Sequence, residues 1–203
     1  MMLQACDISF SYRGNAPLYR GFSLEVAPGE RLCLKAPSGF GKTTLCRLLA
    51  GYEQPDTGMV LANGEPLPRK GCCPVQLIGQ HPEHAVDPRR RMEAALREAG
   101  PLDGELMERL GIRDRWLSRY PRELSGGELQ RFCIARALMA NPRYLVADEI
   151  STMLDAITQA QVWSVILEEA RARNLGLVLT THSESLAHRL ATRELDLTTA
   201  ARP

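Results

Sequence analysis

The stretch APSGFGKTT at residues 36–44 constrains this chain most, because a strand-like ERLCLK precedes it and a helix-like TTLCRLLAG follows it. A phosphate-binding loop needs inward-pointing backbone N–H groups, a lysine that reaches the β- and γ-phosphates, and a hydroxyl that binds Mg²⁺. The residues with these properties are Ser38, Gly39, Gly41, Lys42, Thr43 and Thr44. Ala36 departs from the pattern G-x-x-x-x-G-K-[ST], at a cost of about 1–2 kcal/mol if its φ is positive and little otherwise. Taken alone, the stretch is either a phosphate cradle or a glycine-bearing turn.

The composition predicts one soluble domain. Of the 203 residues, 44% are hydrophobic and 24% charged, and the formal net charge is +1, so no overall field favours nucleic acid or anionic lipid. The six cysteines do not have the spacing of a zinc or iron–sulfur site, and reduced thiols in a cytosolic protein are expected. No segment has the length and apolar character of a signal peptide or a membrane span.

The first 70 residues predict a β-rich entry to the fold. LQACDISFSYRG and FSLEVAPGERLCLKAP alternate apolar and polar residues around a Pro28-Gly29 turn, which predicts short antiparallel strands. A helix is predicted from Thr43 to Leu49, ending at Gly51. Asn63-Gly64 between apolar runs predicts a tight hairpin.

Three later apolar runs, at 74–79, 144–148 and 175–182, lack clean alternation and are separated by helical sequence, which predicts buried parallel strands of an α/β sheet. Ligands of open α/β sheets bind beyond the carboxyl ends of the strands. The polar residues that follow these runs are therefore expected to converge on one site: Gln80, Asp148, Glu149 and His182. The segment from about 84 to 135 has helical periodicity and no strand-like run, which predicts a helical insertion.

The octet LSGGELQR at 124–131 places Ser125, Gly126 and Gly127 where a loop becomes a helix and backbone N–H groups face an anion. A serine with two glycines is also a common helix cap. The whole octet, however, resembles the signature motif of ATP-binding cassette (ABC) ATPases. The resemblance covers nearly the whole chain and implies a single ABC ATPase domain at 1–203, with an α/β P-loop NTPase core, an antiparallel β-subdomain and the helical subdomain inserted at about 84–135.

The same resemblance implies a head-to-tail dimer that sandwiches two ATP molecules. Lys42 and Thr43 would hold the phosphates and Mg²⁺ of one ATP, while Ser125 and Gly127 would contact the γ-phosphate bound by the opposite subunit. Asp155, in STMLDA, looks like the aspartate that reaches across the dimer interface.

The segment RYLVADE at 143–149 resembles the Walker B motif. In that motif Asp148 reaches Mg²⁺ through water and Glu149 polarises the attacking water, whereas two acidic residues after a strand could also merely cap it. Gln80, in IGQHPE, resembles the glutamine that senses Mg²⁺ and the attacking water, and His182, in TTHS, resembles the switch histidine that contacts the γ-phosphate.

The resemblance also implies an aromatic residue that stacks on the adenine ring, a contact that selects a flat base without strong hydrogen bonds. Tyr12, in SFSYRG, matches this position. Tyr19 and Phe10 are the competing candidates, and Phe10 is expected to face the core.

The segments QHPEHAVDPR and EISTMLDAITQAQV resemble ABC importers for oligopeptides, dipeptides and nickel. The resemblance implies membrane permease subunits and a second ABC ATPase, identical or different, as partners, and a cytoplasmic location on the inner face of the membrane. Three consecutive arginines in 87–96 are either a docking surface for the permease or a solvated face. The chain ends 21 residues after His182, which predicts that the last β-elements closing the core are missing.

Three other classes of protein share some of these motifs. A cassette subunit of a soluble enzyme complex, such as the carbon–phosphorus lyase system, would carry the same motifs. A P-loop kinase would leave LSGGELQR unexplained, and a DNA-repair cassette needs a coiled-coil insertion far longer than 84–135.

Overall fold

The computed structural model describes residues 1–14 and 16–200. This part of the chain forms two sheets and eight α-helices. The strands are β1 Leu3–Phe10, β2 Tyr19–Val26, β3 Arg31–Lys35, β4 Thr57–Ala62, β5 Glu65–Pro66, β6 Val75–Ile78, β7 Tyr144–Asp148, β8 Gly176–Thr180 and β9 Arg193–Asp196. The helices are α1 Lys42–Leu49, α2 Met92–Arg97, α3 Gly104–Arg109, α4 Asp114–Leu117, α5 Gly126–Met139, α6 Ala156–Arg173, α7 Glu184–Leu190 and α8 Leu197–Ala200.

An antiparallel sheet with the order β2-β1-β4-β5 carries the N-terminal strands. The predicted hairpin is confirmed: β4 and β5 pair across Asn63 and Gly64, whose φ angles of 57° and 86° suit a two-residue turn. A bulge at Asp7 in β1 brings two backbone oxygens against β4, and a Cβ on Gly58 would lie 2.4 Å from the carbonyl oxygens of Cys6 and Asp7. Only glycine fits this close approach of two strands.

A parallel sheet with the order β6-β7-β8-β3-β9 forms the centre of the molecule. Every residue of β7 and β8 is buried, as expected for strands covered on both faces. Successive side chains of a strand point to opposite faces. In β3, Leu32 and Leu34 accordingly pack towards α1 and the antiparallel sheet, whereas Cys33 packs towards the core of α5 and α6.

Two expectations about this sheet are wrong. The ERLCLK run was expected among antiparallel strands, but β3 lies between the parallel strands β8 and β9, because the Pro28-Gly29 turn passes the chain from one sheet to the other. The segment after His182, expected to lack β-elements, contributes the edge strand β9, which pairs with β3 from Leu32↔Arg193 to Lys35↔Asp196. The sequence of β9, RELD, is polar and mostly exposed, so its pattern gave no strand signal.

Between residues 84 and 135 the chain forms α2, α3, α4 and most of α5, with no strand in that range. Buried side chains of these helices, including Trp116 and Phe132, join the core on the α5 side of the parallel sheet. Each arginine of the triple run has a partner within the chain: Arg89 pairs with Asp87, Arg90 pairs with Glu98, and Arg91 lies 4.9 Å from the ring centroid of Tyr120. Among the helices of residues 1–14 and 16–200, none is both long enough and apolar enough to cross a bilayer.

Candidate functional site

The loop between β3 and α1 folds around the Lys42 side chain. Lys42 is buried, and its Nζ donates hydrogen bonds to the carbonyl oxygens of Ala36 at 2.8 Å and Pro37 at 3.3 Å. Gly39 and Gly41 adopt positive φ angles of 79° and 100°. Ala36 is not among the described residues with positive φ, so alanine is compatible with the backbone at this position.

Tyr19 contacts the backbone of this loop. Its side chain is completely buried, and its hydroxyl donates a hydrogen bond of 3.0 Å to the carbonyl oxygen of Gly41. A Cβ on Gly41 would lie 3.0 Å from the same hydroxyl, so the ring and the loop backbone are in close contact. Burial raises the pKa of Tyr19 well above its usual range, which keeps the hydroxyl protonated as a donor.

Polar residues gather at the carboxyl ends of β7 and β8. Asp148 and Thr180 end the two strands side by side, and both are buried. The Thr180 hydroxyl donates to Asp148 Oδ1 at 2.7 Å and accepts the backbone N–H of Glu149 at 3.0 Å. Glu149 itself has a φ of 52°, a left-handed conformation that is unusual for a non-glycine residue.

The Glu149 carboxylate faces His182. Its Oε1 lies 2.7 Å from His182 Nε2, and the glutamate side chain is 11% exposed while the imidazole is 56% exposed. In this pair the carboxylate is therefore largely buried, whereas the imidazole is open to solvent.

A cavity of about 450 Å³ brings the phosphate-loop residues and this pair together. Its lining comprises Tyr12, Leu18, Ser38, Gly39, Gly41, Lys42, Thr43, Thr44, Gln80, Glu149 and His182. A second cavity of about 310 Å³ shares Thr43 and Gln80 with the first and adds Asp148. Residues that are distant in the sequence thus surround two cavities with common walls.

Tyr12 is the aromatic side chain that lines the larger cavity, whereas Phe10 and Tyr19 are buried. Its hydroxyl lies 3.2 Å from Thr44 Oγ1, and its ring meets that of Phe10 edge to face, with 5.0 Å between centroids. Tyr12 is 37% exposed, so its ring is partly open to solvent.

The LSGGELQR residues lie elsewhere, around a cavity of about 380 Å³ whose lining includes Ser125, Gly126, Gly127 and Asp155. Ser125 caps α5: its hydroxyl accepts the N–H of Glu128 at 3.2 Å, while the Glu128 carboxylate accepts the N–H of Ser125 at 2.8 Å. None of these residues lines the cavity of the phosphate loop.

The two signature glycines are closely packed. A Cβ on Gly126 would lie 3.2 Å from Met153 Sδ, and a Cβ on Gly127 would lie 3.2 Å from Leu154 Cδ2. Glycines here let the start of α5 approach the loop before α6.

Asp155 caps α6, since its Oδ1 accepts the N–H groups of Ile157 at 3.0 Å and Thr158 at 2.9 Å. The hydrogen bonds from the backbone and the hydroxyl of Thr158 lower the pKa of the Asp155 carboxyl. The carboxylate therefore has a structural role in this chain as well as a place beside the signature glycines.

One side chain of α5 connects this region to Gln80. Gln130 is buried, and its Nε2 donates a hydrogen bond of 3.2 Å to the carbonyl oxygen of Gly79. The helix that begins with the signature residues is thereby tied to the residue that precedes Gln80.

Comparison with known proteins identifies the family. Residues 19–152 match the profile of the family described as ABC transporter. The chain belongs to this family. It is 31% identical to the metal-staphylopine import system ATP-binding protein CntF of Staphylococcus aureus, over 89% of this chain and 81% of that protein. It is 33% identical to the nickel import ATP-binding protein NikE of Rhodospirillum rubrum, over 97% of this chain and 80% of that protein.

The fold of this ABC ATPase matches solved cassettes. The dimeric, post-hydrolysis structure of the ATP-binding cassette MJ0796 bound to ADP and Pi superposes with a TM-score of 0.81 at 22% identity, covering 96% of this chain and 94% of that one. The predicted α/β P-loop fold of the ABC ATPases is confirmed. As a member of this family, the chain binds ATP and hydrolyses it.

The sequence did not indicate the roles of two residues at the site. Thr180 ends an apolar run and is followed by another threonine, so its polarity at a strand end was the only available signal. Tyr19 was a competing candidate for the adenine contact, but nothing in the sequence indicated its hydrogen bond to the phosphate loop, because that bond joins β2 to a loop residue 22 positions later.

Proposed function

We propose that this ABC ATPase powers an importer of the peptide, nickel or metal-chelate type. The proposal is supported by the relatives, whose names describe import of nickel, metal-staphylopine and peptides. The observation that carries the hydrolytic part is the Glu149–His182 contact of 2.7 Å at the cavity that Lys42 also lines. No observation favours the alternative, a cassette subunit of a soluble lyase complex.

ATP would bind in the larger cavity. The backbone N–H groups from Ser38 to Thr44 would hold the phosphates at the start of α1, where the helix dipole favours an anion. Lys42 would exchange its contacts with loop carbonyls for phosphate oxygens, and the Tyr12 ring would stack on the adenine. The adenine contact selects a flat base.

The residues around the smaller cavity fit a Mg²⁺ ion. The Thr43 hydroxyl, the Gln80 amide and the Asp148 carboxylate are all oxygen donors, which Mg²⁺ prefers, and Mg²⁺ sites commonly use one carboxylate with substrate phosphates and water. When bound, Mg²⁺ supplies positive charge to the β- and γ-phosphate oxygens.

Glu149 would orient and deprotonate the attacking water. The water oxygen bonds to the γ-phosphorus, the bond to the β–γ bridging oxygen breaks, ADP leaves, and the water proton passes to the Glu149 carboxylate. His182, held by that carboxylate, would contact the γ-phosphate.

A second cassette, identical or different, would complete each site. Ser125, Gly126, Gly127 and Asp155 surround a separate cavity, so they are available to the nucleotide of an opposite subunit. In this proposal residues 1–203 form one domain, and the helical subdomain at about 84–135, including the triple arginine run, grips permease subunits on the inner, cytoplasmic face of the membrane. No nucleic acid partner is proposed, in keeping with the net charge of +1.

The test of the hydrolytic role is Glu149→Gln in the purified complex with its permease. The variant complex should bind ATP with normal affinity and lose turnover, and the variant ATPase without its permease should show an ATP-dependent dimer by light scattering. Glu194→Gln is the matched control, because Glu194 also contacts a histidine, His188, at 3.0 Å but lies outside both cavities. Normal turnover in Glu149→Gln would refute the assigned role.

The test of the transport role is co-purification. Tagged protein extracted with mild detergent should bring down membrane permease subunits, and its ATPase rate should rise when a permease is reconstituted with it. Recovery of soluble lyase subunits instead would establish the alternative.

A further inference from the structure

Thr180 occupies a distinctive position between the two acidic residues of the site. It ends β8 in register with Asp148 at the end of β7, and it is 1% exposed. Its hydroxyl donates to the carboxylate of Asp148 at 2.7 Å and at the same time accepts the N–H of Glu149 at 3.0 Å. This one hydroxyl therefore donates to Asp148 and accepts from the next residue, Glu149.

The two hydrogen bonds constrain different groups, the Asp148 carboxylate and the Glu149 backbone. The bond to Oδ1 fixes the rotation of the Asp148 carboxylate inside the protein. The N–H of Glu149 is held both by the hydroxyl and by the carbonyl oxygen of Thr180, the latter at 3.3 Å. This double contact supports Glu149 in its left-handed conformation, with φ of 52°, from which its carboxylate reaches His182.

We propose that Thr180 is a positioning residue for ATP hydrolysis, which sets the Asp148 carboxylate and the Glu149 backbone in one geometry. The inference rests on the roles proposed above for Asp148 and Glu149. Valine has nearly the same shape as threonine but lacks the hydroxyl, so it would keep the packing of the strand end and lose both hydrogen bonds.

The experiment compares Thr180→Val with Thr180→Ser, which keeps the hydroxyl. Removing a side chain that orients a metal-site or catalytic group typically costs 10- to 100-fold. Thr180→Val should therefore lower kcat about 10- to 100-fold and raise the Mg²⁺ concentration needed for half-maximal binding of a fluorescent ATP analogue. Binding of the analogue in EDTA should stay within about twofold of wild type, since the phosphate loop is untouched, and Thr180→Ser should restore both quantities.

Thr192→Val is the matched control for lost stability. The Thr192 hydroxyl also makes two hydrogen bonds, here both with the backbone: it accepts from the Arg31 N–H at 2.9 Å and donates to the Arg31 carbonyl oxygen at 3.1 Å. These bonds lie at the opposite end of β3 from the phosphate loop. The melting temperature of the Thr192→Val variant should fall, while its kcat and its Mg²⁺ dependence stay at wild-type values.

The outcomes separate the two proposals. If Thr180→Val matches Thr192→Val in kcat and Mg²⁺ dependence while Glu149→Gln is inactive, the positioning role is overturned and the proposed function stands. If Glu149→Gln turns over normally, both are overturned. Should Thr180→Val fail to fold, Thr180→Cys, whose thiol is a weak donor of similar size, must give intermediate values, and wild-type values would overturn the role.

Discussion

Removing the phenolic hydroxyl of Tyr19 is expected to weaken both the fold and ATP binding. The hydroxyl is buried and donates 3.0 Å to the Gly41 carbonyl, so Tyr19→Phe leaves that carbonyl without its partner at a cost of about 1–3 kcal/mol. For a chain of this size the melting temperature should fall by about 2–12 °C. If half of this cost applies only to the loop with phosphate bound, the Kd for ATP rises about two- to twelvefold.

Tyr144→Phe is the matched control. Tyr144 is also buried, and its hydroxyl donates 2.8 Å to Asn63 Oδ1, but it begins the strand that Asp148 ends, about 13 Å away along β7. Thermal unfolding and ATP titration by calorimetry compare the two variants. Both should lose stability, and only Tyr19→Phe should lose affinity. Equal ATP affinities in the two variants would refute the idea that Tyr19 supports the loop.

Three further predictions concern Tyr12, Gly58 and two buried cysteines. Tyr12→Ala should raise the Kd for ATP about 5- to 150-fold, the usual worth of stacking on a base, while Tyr12→Phe stays near wild type in the same titration. Gly58→Ala should unfold at much lower denaturant than Gly64→Ala, because both have positive φ but only the first adds a clash with backbone at 2.4 Å; similar midpoints would contradict this. Burial raises the pKa of Cys33 and of Cys133 to about 11, so alkylation of these thiols in the folded protein should be slow at about pH 8 and accelerate towards pH 11. In the unfolded chain these thiols ionise near their ordinary pKa of 9.0, so their contribution to the free energy of unfolding is complete below pH 9.0 and is lost as the pH rises to about 11. Mass spectrometry would follow the alkylation, and denaturant titration would follow the loss of stability.

The parts of the fold that local chemistry dictates were predictable. Asn63-Gly64 specifies a tight turn through its backbone preference alone, and the turn is present. The three apolar runs after residue 74 form parallel strands, as continuous burial requires. Their polar ends, Asp148, Glu149 and His182, gather at the same edge of the sheet, because parallel strands share their carboxyl ends.

The parts that depend on distant contacts were not predictable. The alternation in ERLCLK is the same for a strand of either sheet, so it could not place β3 beside β8. An edge strand such as β9 is held by backbone pairing and needs no apolar pattern. The backbone angle of Ala36 and the partners of the Tyr19 and Thr180 hydroxyls are likewise set by tertiary structure, so the local sequence pattern cannot predict them.

The position of β3 has a consequence for biosynthesis. This strand leads directly into the phosphate loop, yet its two neighbours in the sheet, β8 and β9, are the last two strands of the described residues, and the Arg31 N–H bonds to Thr192, 161 residues later. Domains generally fold as units as they leave the ribosome, and pairings between remote segments form slowly. A nascent chain must therefore expose the loop strand unpaired until β8 has been translated, so ribosome-bound intermediates truncated before residue 176 should neither retain nucleotide nor resist protease at this strand.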